Sequence, residues 1–154
     1  MSHSIRLAMH YETPVPHRFI VHDDGTNAPR SHQRTIARLT AGLYPLYRSG
    51  QIPYEPLPET MVGEYNSPTP DIIFDEPAGV TTPVIIEICH TRGLRADLDK
   101  VIRLVEADLY GVREAFVYDY TTGKWLRYRL GDGGVATASS FSELLQLDLN
   151  TFLA

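Results

Sequence analysis

Cysteine occurs once in the 154 residues, at position 89, which excludes an internal disulfide and any zinc site built from clustered thiolates. Lysine is almost as scarce: of fourteen basic side chains only Lys100 and Lys124 are lysines, so arginine carries nearly all the positive charge. No apolar run approaches the ~20 residues of a membrane-spanning helix, and Met1-Ser2-His3-Ser4 lacks the charged-then-apolar order of a secretory leader. Internal repeats and low-complexity tracts are missing too. The expectation is one domain over residues 1–154, large enough for its own core, in the reducing cytoplasm. Residues 1–15 are expected to be loosely ordered or to form an N-terminal strand.

Net charge is -5, which argues against a uniformly basic nucleic-acid binder. Its distribution argues differently. Between Arg30 and Arg48 the charges are Arg30, Arg34, Arg38 and Arg48, with no acid; between Glu55 and Glu76 they are all acidic. Segregation of this kind makes local fields that a net charge hides. Arg30, Arg34 and Arg38 stand at i, i+4 and i+8, one stripe of a helix, which is either a solvated face or a grip on phosphates.

Phe19-Ile20-Val21 reads as a short strand closed by Asp24-Gly25. Thr26-Asn27-Ala28-Pro29 reads as a helix entry, with Asn or Ser as cap and proline in the first turn. Ile36, Leu39, Leu43 and Leu46 predict an amphipathic helix over 30–48, which Pro45 should kink or end and Gly50 should close. Residues 54–65, broken by Pro53, Pro56 and Pro58, predict an irregular edge strand. Residues 70–75 and 83–89 are compact, β-branched and apolar, as in a sheet covered on both faces. A helix is expected from Leu94 to Tyr110, with Leu109 on its apolar face and Gly111 as its stop. Strands follow at 113–120 and 124–130, joined by a Thr122-Gly123 turn, and then a short helix capped by Ser142 and a tail. A strand, a helix and another strand imply a crossover with a parallel pair. The fold class is α/β: a mixed sheet flanked by helices, in the order helix-β-β-β-helix-β-β-short helix.

Two residues break this pattern. Asp71 opens Pro70-Asp71-Ile72-Ile73-Phe74, and Glu87 interrupts Val84-Ile85-Ile86-Glu87-Ile88-Cys89. A carboxylate buried without a partner costs several kcal/mol or takes up a proton. Two such anomalies on neighbouring strands suggest a shared divalent-cation site, and magnesium takes one or two carboxylates with water and phosphate oxygens completing its shell. Other readings remain open: Asp71 as an exposed residue at a strand edge, Glu87 as a buried partner of Arg113 or Arg127, and Lys100 with Asp97 as a surface pair. Cys89 reads as a small buried hydrophobe, and His90 as a loop hydrogen-bonder or a ligand near Glu87. Tyr118, Tyr120, Trp125 and Tyr128 read as core and cross-strand pairs.

Pro70-Asp71 followed by Glu87-Ile88-Cys89 resembles the Pro-Asp…Glu-x-Lys core of the PD-(D/E)XK nucleases, the restriction-endonuclease-like superfamily. More narrowly, the chain resembles the Uma-type endonuclease family. Pro83-Val84-Ile85-Ile86-Glu87-Ile88, Tyr110 to Asp119, His32 and Phe141-Ser142-Glu143-Leu144 carry the likeness over roughly residues 15–152. It implies a metal-dependent endonuclease that hydrolyses DNA phosphodiester bonds as a homodimer, with Mg²⁺ or Mn²⁺ held by Asp71, Glu87 and the main-chain carbonyl of Ile88. The superfamily lysine two positions after the glutamate is replaced by Cys89. Uma-type chains carry instead a helical Asp…Lys pair, for which this helix offers Asp97, Asp99, Lys100 and Arg103. Asp97 and Lys100 share a face, so Lys100 is the expected catalytic cation. His32, His90, Asp97, Asp99 and Arg103 are accessory candidates, and Arg30, Arg34, Arg38, Arg92 and Arg95 candidates for the nucleic-acid backbone. The competing class is a weakened or inactive member of the fold, acting as a nucleic-acid-binding or dimeric interaction module.

Overall fold

The computed structural model describes residues 29–64, 66–79 and 81–154. The strand expected at Phe19-Ile20-Val21, the Asn27 cap and residues 1–15 lie outside them. Helix α1 (Arg30–Arg48) and helix α2 (Leu94–Ala107) pack on opposite faces of a five-stranded sheet: β1 (Glu55–Pro58), β2 (Ile72–Asp75), β3 (Val84–Cys89), β4 (Glu114–Asp119) and β5 (Lys124–Arg129). The strands lie in sequence order; β3 and β4 are parallel and every other neighbour is antiparallel. The crossover between the parallel strands is a 3-10 turn (Thr91–Gly93) running into α2.

Period-two alternation sorts the strand side chains between two cores. Val84, Ile86 and Ile88 join Phe74, Phe116 and Trp125 against Ile36, Leu39 and Leu43 of α1. Ile73, Ile85, Cys89 and Val117 join Val101, Leu104 and Val105 of α2. All six residues of β3 are buried, as its unbroken apolar run requires. The proline-broken segment does provide an edge strand, since β1 pairs with β2 alone. Among the described residues, no helix is long and apolar enough to cross a membrane.

Local chemistry departs from expectation in four places. Pro29 occupies the N-cap of α1, with no side-chain cap, instead of lying in the first turn. Pro45 does not end the helix, which runs one more turn to Arg48. Proline forfeits a bond to the preceding turn, but this stretch faces solvent, while Leu46 and Tyr47 still pack on the core. Helix α2 ends at Ala107, where Asp108 takes the left-handed conformation (φ 51°, ψ 37°), so Leu109 is 74% exposed instead of continuing the apolar face. Gly111 serves a different turn: at φ 72° it packs so closely on Thr81 that a Cβ would sit 2.8 Å from the Thr81 side chain.

The C-terminal segment does not begin with the expected short helix. It forms a small hairpin, β6 (Phe141–Ser142) with β7 (Leu147–Asp148), followed by a 3-10 turn (Leu149–Phe152). The Ser142 hydroxyl is drawn into the interior, where it donates to Glu114 and accepts from the Leu145 N–H at 3.1 Å. The hydroxyl thus ties a buried acceptor on β4 to a local turn of the hairpin.

Candidate active site

Alternation along β3 turns Glu87 toward α2, between Ile86 and Ile88, which face α1. The β2–β3 ladder begins at Ile72 opposite Ile86, so Asp71 falls just beyond the paired strand. There the side chains supply the next rungs. The Asp71 N–H donates to Glu87 Oε1 at 3.1 Å, and the Ile88 N–H donates to Asp71 Oδ2 at 2.7 Å. Each carboxylate thus spends one oxygen on the other strand's main chain. The second oxygens turn to the helices: His32 Nε2 of α1 lies 3.2 Å from Asp71 Oδ1, and Lys100 Nζ of α2 lies 3.3 Å from Glu87 Oε2.

Burial differs sharply within this group. Glu87 is 6% exposed at its side chain, whereas Lys100 is 42% exposed. Burial, and then the Asp71 charge, push the Glu87 carboxyl up to about 7, with Lys100 pulling the other way. The hydrogen bond to Asp71 raises His32 to about 8 against the opposing effect of burial. Burial also raises Asp97, with the Lys100 charge opposing and the Asp71 charge adding. Burial carries the Cys89 thiol up to about 12, so the sulfur two positions after Glu87 is protonated in the metal-free protein.

The structure therefore brings together Asp71, Glu87, Lys100 and His32, with Asp97 inside the same field. Glu87 does not pair with Arg113 or Arg127; Arg127 is bonded to Ser139 Oγ and the Phe141 carbonyl. Asp99 and Arg103 lie on the exposed face of α2 and make no contact with the carboxylates. His90 is engaged elsewhere: Nδ1 accepts from the Arg92 N–H at 3.1 Å, and its ring stands edge-on to Tyr120. Arg30, Arg34 and Arg38 are exposed along α1, and Arg92 and Arg95 at the start of the crossover. Ile88 turns its main chain toward β2, where no strand faces it; its carbonyl opens on the same side as the N–H that Asp71 holds.

Sequence reasoning missed Asp119. Buried at the end of β4, it accepts from the Thr91 hydroxyl at 2.6 Å and the Thr121 N–H at 2.9 Å, which ties down the turn leading into α2 and Lys100. Burial would raise its pKa, but these hydrogen bonds, led by Thr91, bring it below the usual value. The available signal was an acid ending an apolar strand ahead of Thr121-Thr122-Gly123.

The donor chemistry suits a hard divalent cation. Among the described residues, no three His, Cys, Asp or Glu side chains gather into a metal cluster. Magnesium needs only one or two carboxylates, however, and among the described residues each oxygen of this pair meets one donor, which leaves a further lone pair. Burial first, and then the Asp71 charge, raise the Glu87 pKa, and a cation would offset both.

No family model matches the chain, and no curated relative is similar to it. Among solved structures it is similar to a protein from Anabaena variabilis ATCC 29413 described as a "putative nuclease belonging to DUF820". The TM-score is 0.52 at 15% identity, covering 78% of this chain and 82% of the other. At that identity the likeness shows a shared fold, restriction-endonuclease-like, in agreement with the Uma-type resemblance of the sequence.

Proposed function

We propose that the protein is a divalent-metal-dependent nuclease that hydrolyses DNA phosphodiester bonds. The observation that carries this reading is the Asp71–Glu87 pair, held at the open end of β2 and β3 with Lys100 on its outer oxygen. Asp71, Glu87 and the Ile88 carbonyl would hold Mg²⁺ or Mn²⁺, which supplies Lewis acidity toward the phosphate and lowers the pKa of a bound water. The hydrogen bonds from the Asp71 and Ile88 N–H groups anchor one oxygen of each carboxylate before substrate arrives, which lessens the reorganisation needed at the moment of reaction. Lys100, half exposed, offers its ammonium to an attacking water or to the charge gathering on the phosphate. It takes over from α2 the place that Cys89 leaves vacant on β3. Arg30, Arg34 and Arg38, with Arg92 and Arg95, hold the nucleic-acid backbone, and a homodimer would address both strands. The neighbour's fold and description support the same class of activity.

Supercoiled plasmid incubated with the protein and Mn²⁺ or Mg²⁺ is expected to be nicked, and Glu87→Gln is expected to abolish nicking in a folded protein. Failure to cut single- or double-stranded DNA with any divalent ion would end the enzyme reading. If the protein nonetheless binds metal or DNA, the non-catalytic interaction module replaces it.

A further inference from the structure

Asp71 sits in a bend outside the strand ladder, so its carboxylate orientation needs a separate cause. The Ile88 N–H fixes Oδ2, which by itself leaves the group free to swing about that bond. His32 provides the second point, with Nε2 3.2 Å from Oδ1. The ring is itself held, since Nδ1 lies 3.1 Å from Gln33 Oε1 and the side chain is only 17% exposed. Its backbone belongs to the first turn of α1, where the Thr35 hydroxyl bonds the Ser31 carbonyl at 2.8 Å, and Thr35 and Ile36 are buried just beyond. The outer oxygen of Glu87 meets instead the half-exposed Lys100.

Resting on the reading of Asp71 as a metal ligand, we propose that His32 is a positioning residue for that ligand. Its Nε2–H holds Oδ1, so that the plane of the Asp71 carboxylate is set from α1 and its remaining lone pairs are directed at the cation. Outer partners of this kind are worth about 10–100-fold in metal affinity. Because His32 lies in the helix turn that carries Arg30 and Arg34, the same helix that would grip the backbone also sets the metal ligand.

The test is calorimetric titration of the full chain with Mn²⁺, in wild type, His32→Leu, His32→Asn, His32→Gln and Asp71→Asn, with circular dichroism reporting folding. His32→Leu fills the space without a donor and is expected to weaken Mn²⁺ binding by about 10–100-fold. His32→Gln places an amide N–H near the Nε2 position and should restore most of the affinity. His32→Asn is too short to reach Oδ1 and should behave like leucine, which preserves the test if leucine misfolds. Unchanged or tighter binding in His32→Leu, or equal loss in Gln and Asn, overturns the positioning role while leaving the metal site intact. No Mn²⁺ binding by wild type, or no effect of Asp71→Asn, overturns both the positioning role and the metal reading beneath it.

Discussion

Two glutamates lie buried on adjacent parallel strands, Glu87 on β3 and Glu114 on β4, and they live under opposite conditions. Glu114, 1% exposed, accepts from the Ser142 hydroxyl, the Glu143 N–H at 3.0 Å and Arg129 Nε at 3.3 Å, while Arg129 also reaches Glu143 at 3.0 Å. Those donors come from β5 and the C-terminal hairpin, so the carboxylate pins the end of the chain to the sheet. Glu87 has a single main-chain N–H, one half-exposed lysine and a second carboxylate for company. A saturated acid is a structural clamp. One left short of donors beside another acid keeps capacity for something that is not protein.

Removing Glu114 should therefore be the more damaging change to the fold. Glu114→Ala strands Arg129 and Ser142 in a largely buried setting, and a loss of about 3–5 kcal/mol is expected in urea unfolding, with or without metal. Glu87→Gln should do the reverse. The folded chain holds the Glu87 proton up to about pH 7, whereas the unfolded chain releases it near 4.5. Stability is therefore full below pH 4.5 and falls as pH rises to 7. Above pH 7 the amide should leave the metal-free protein more stable by about 3 kcal/mol, while any nicking is expected to be lost. A matching profile in wild type and Glu87→Gln would erase the distinction between the two acids. His32 adds a decline of the same sign, since the stability it lends below pH 6.5 fades as pH passes through about 8. Lys100→Met removes a half-exposed partner, so the stability change should stay below about 1 kcal/mol. The pH-dependent fall attributed to Glu87 should nonetheless move upward. Smallest of all, Arg34→Ala should leave both glutamates undisturbed and reduce the salt dependence of DNA binding by about one phosphate contact.

Glu87 was legible in the sequence because an acid inside an unbroken apolar run has few explanations, and β3 is that run. Asp71 was legible by its place at the mouth of the next strand, and Lys100 by sharing a helical face with Asp97. Glu114 was not singled out: it opens its strand, where charge is ordinary, and its partners arrive from Arg129, Ser142 and Glu143. Long-range acceptors of this kind leave no local signature. Ser142, a good helix cap by local rules, does hold the Leu145 N–H, but the chain turns there into a hairpin and no α-helix follows. Helix α2 stopped early because Asp108 adopts a backbone conformation that no periodicity announces. His32 could be placed on a helix, but only the packing of α1 against the sheet brings it to Asp71.

The paired bonds from Asp71 N–H to Glu87 and from Ile88 N–H to Asp71 splice two strand ends together whether or not any chemistry occurs. Selection for a sound sheet would by itself preserve both acids in a lineage that had given up cutting. Among the described residues Lys100 bonds only an oxygen of Glu87 and braces no backbone, so it is the residue such a lineage would be first to discard.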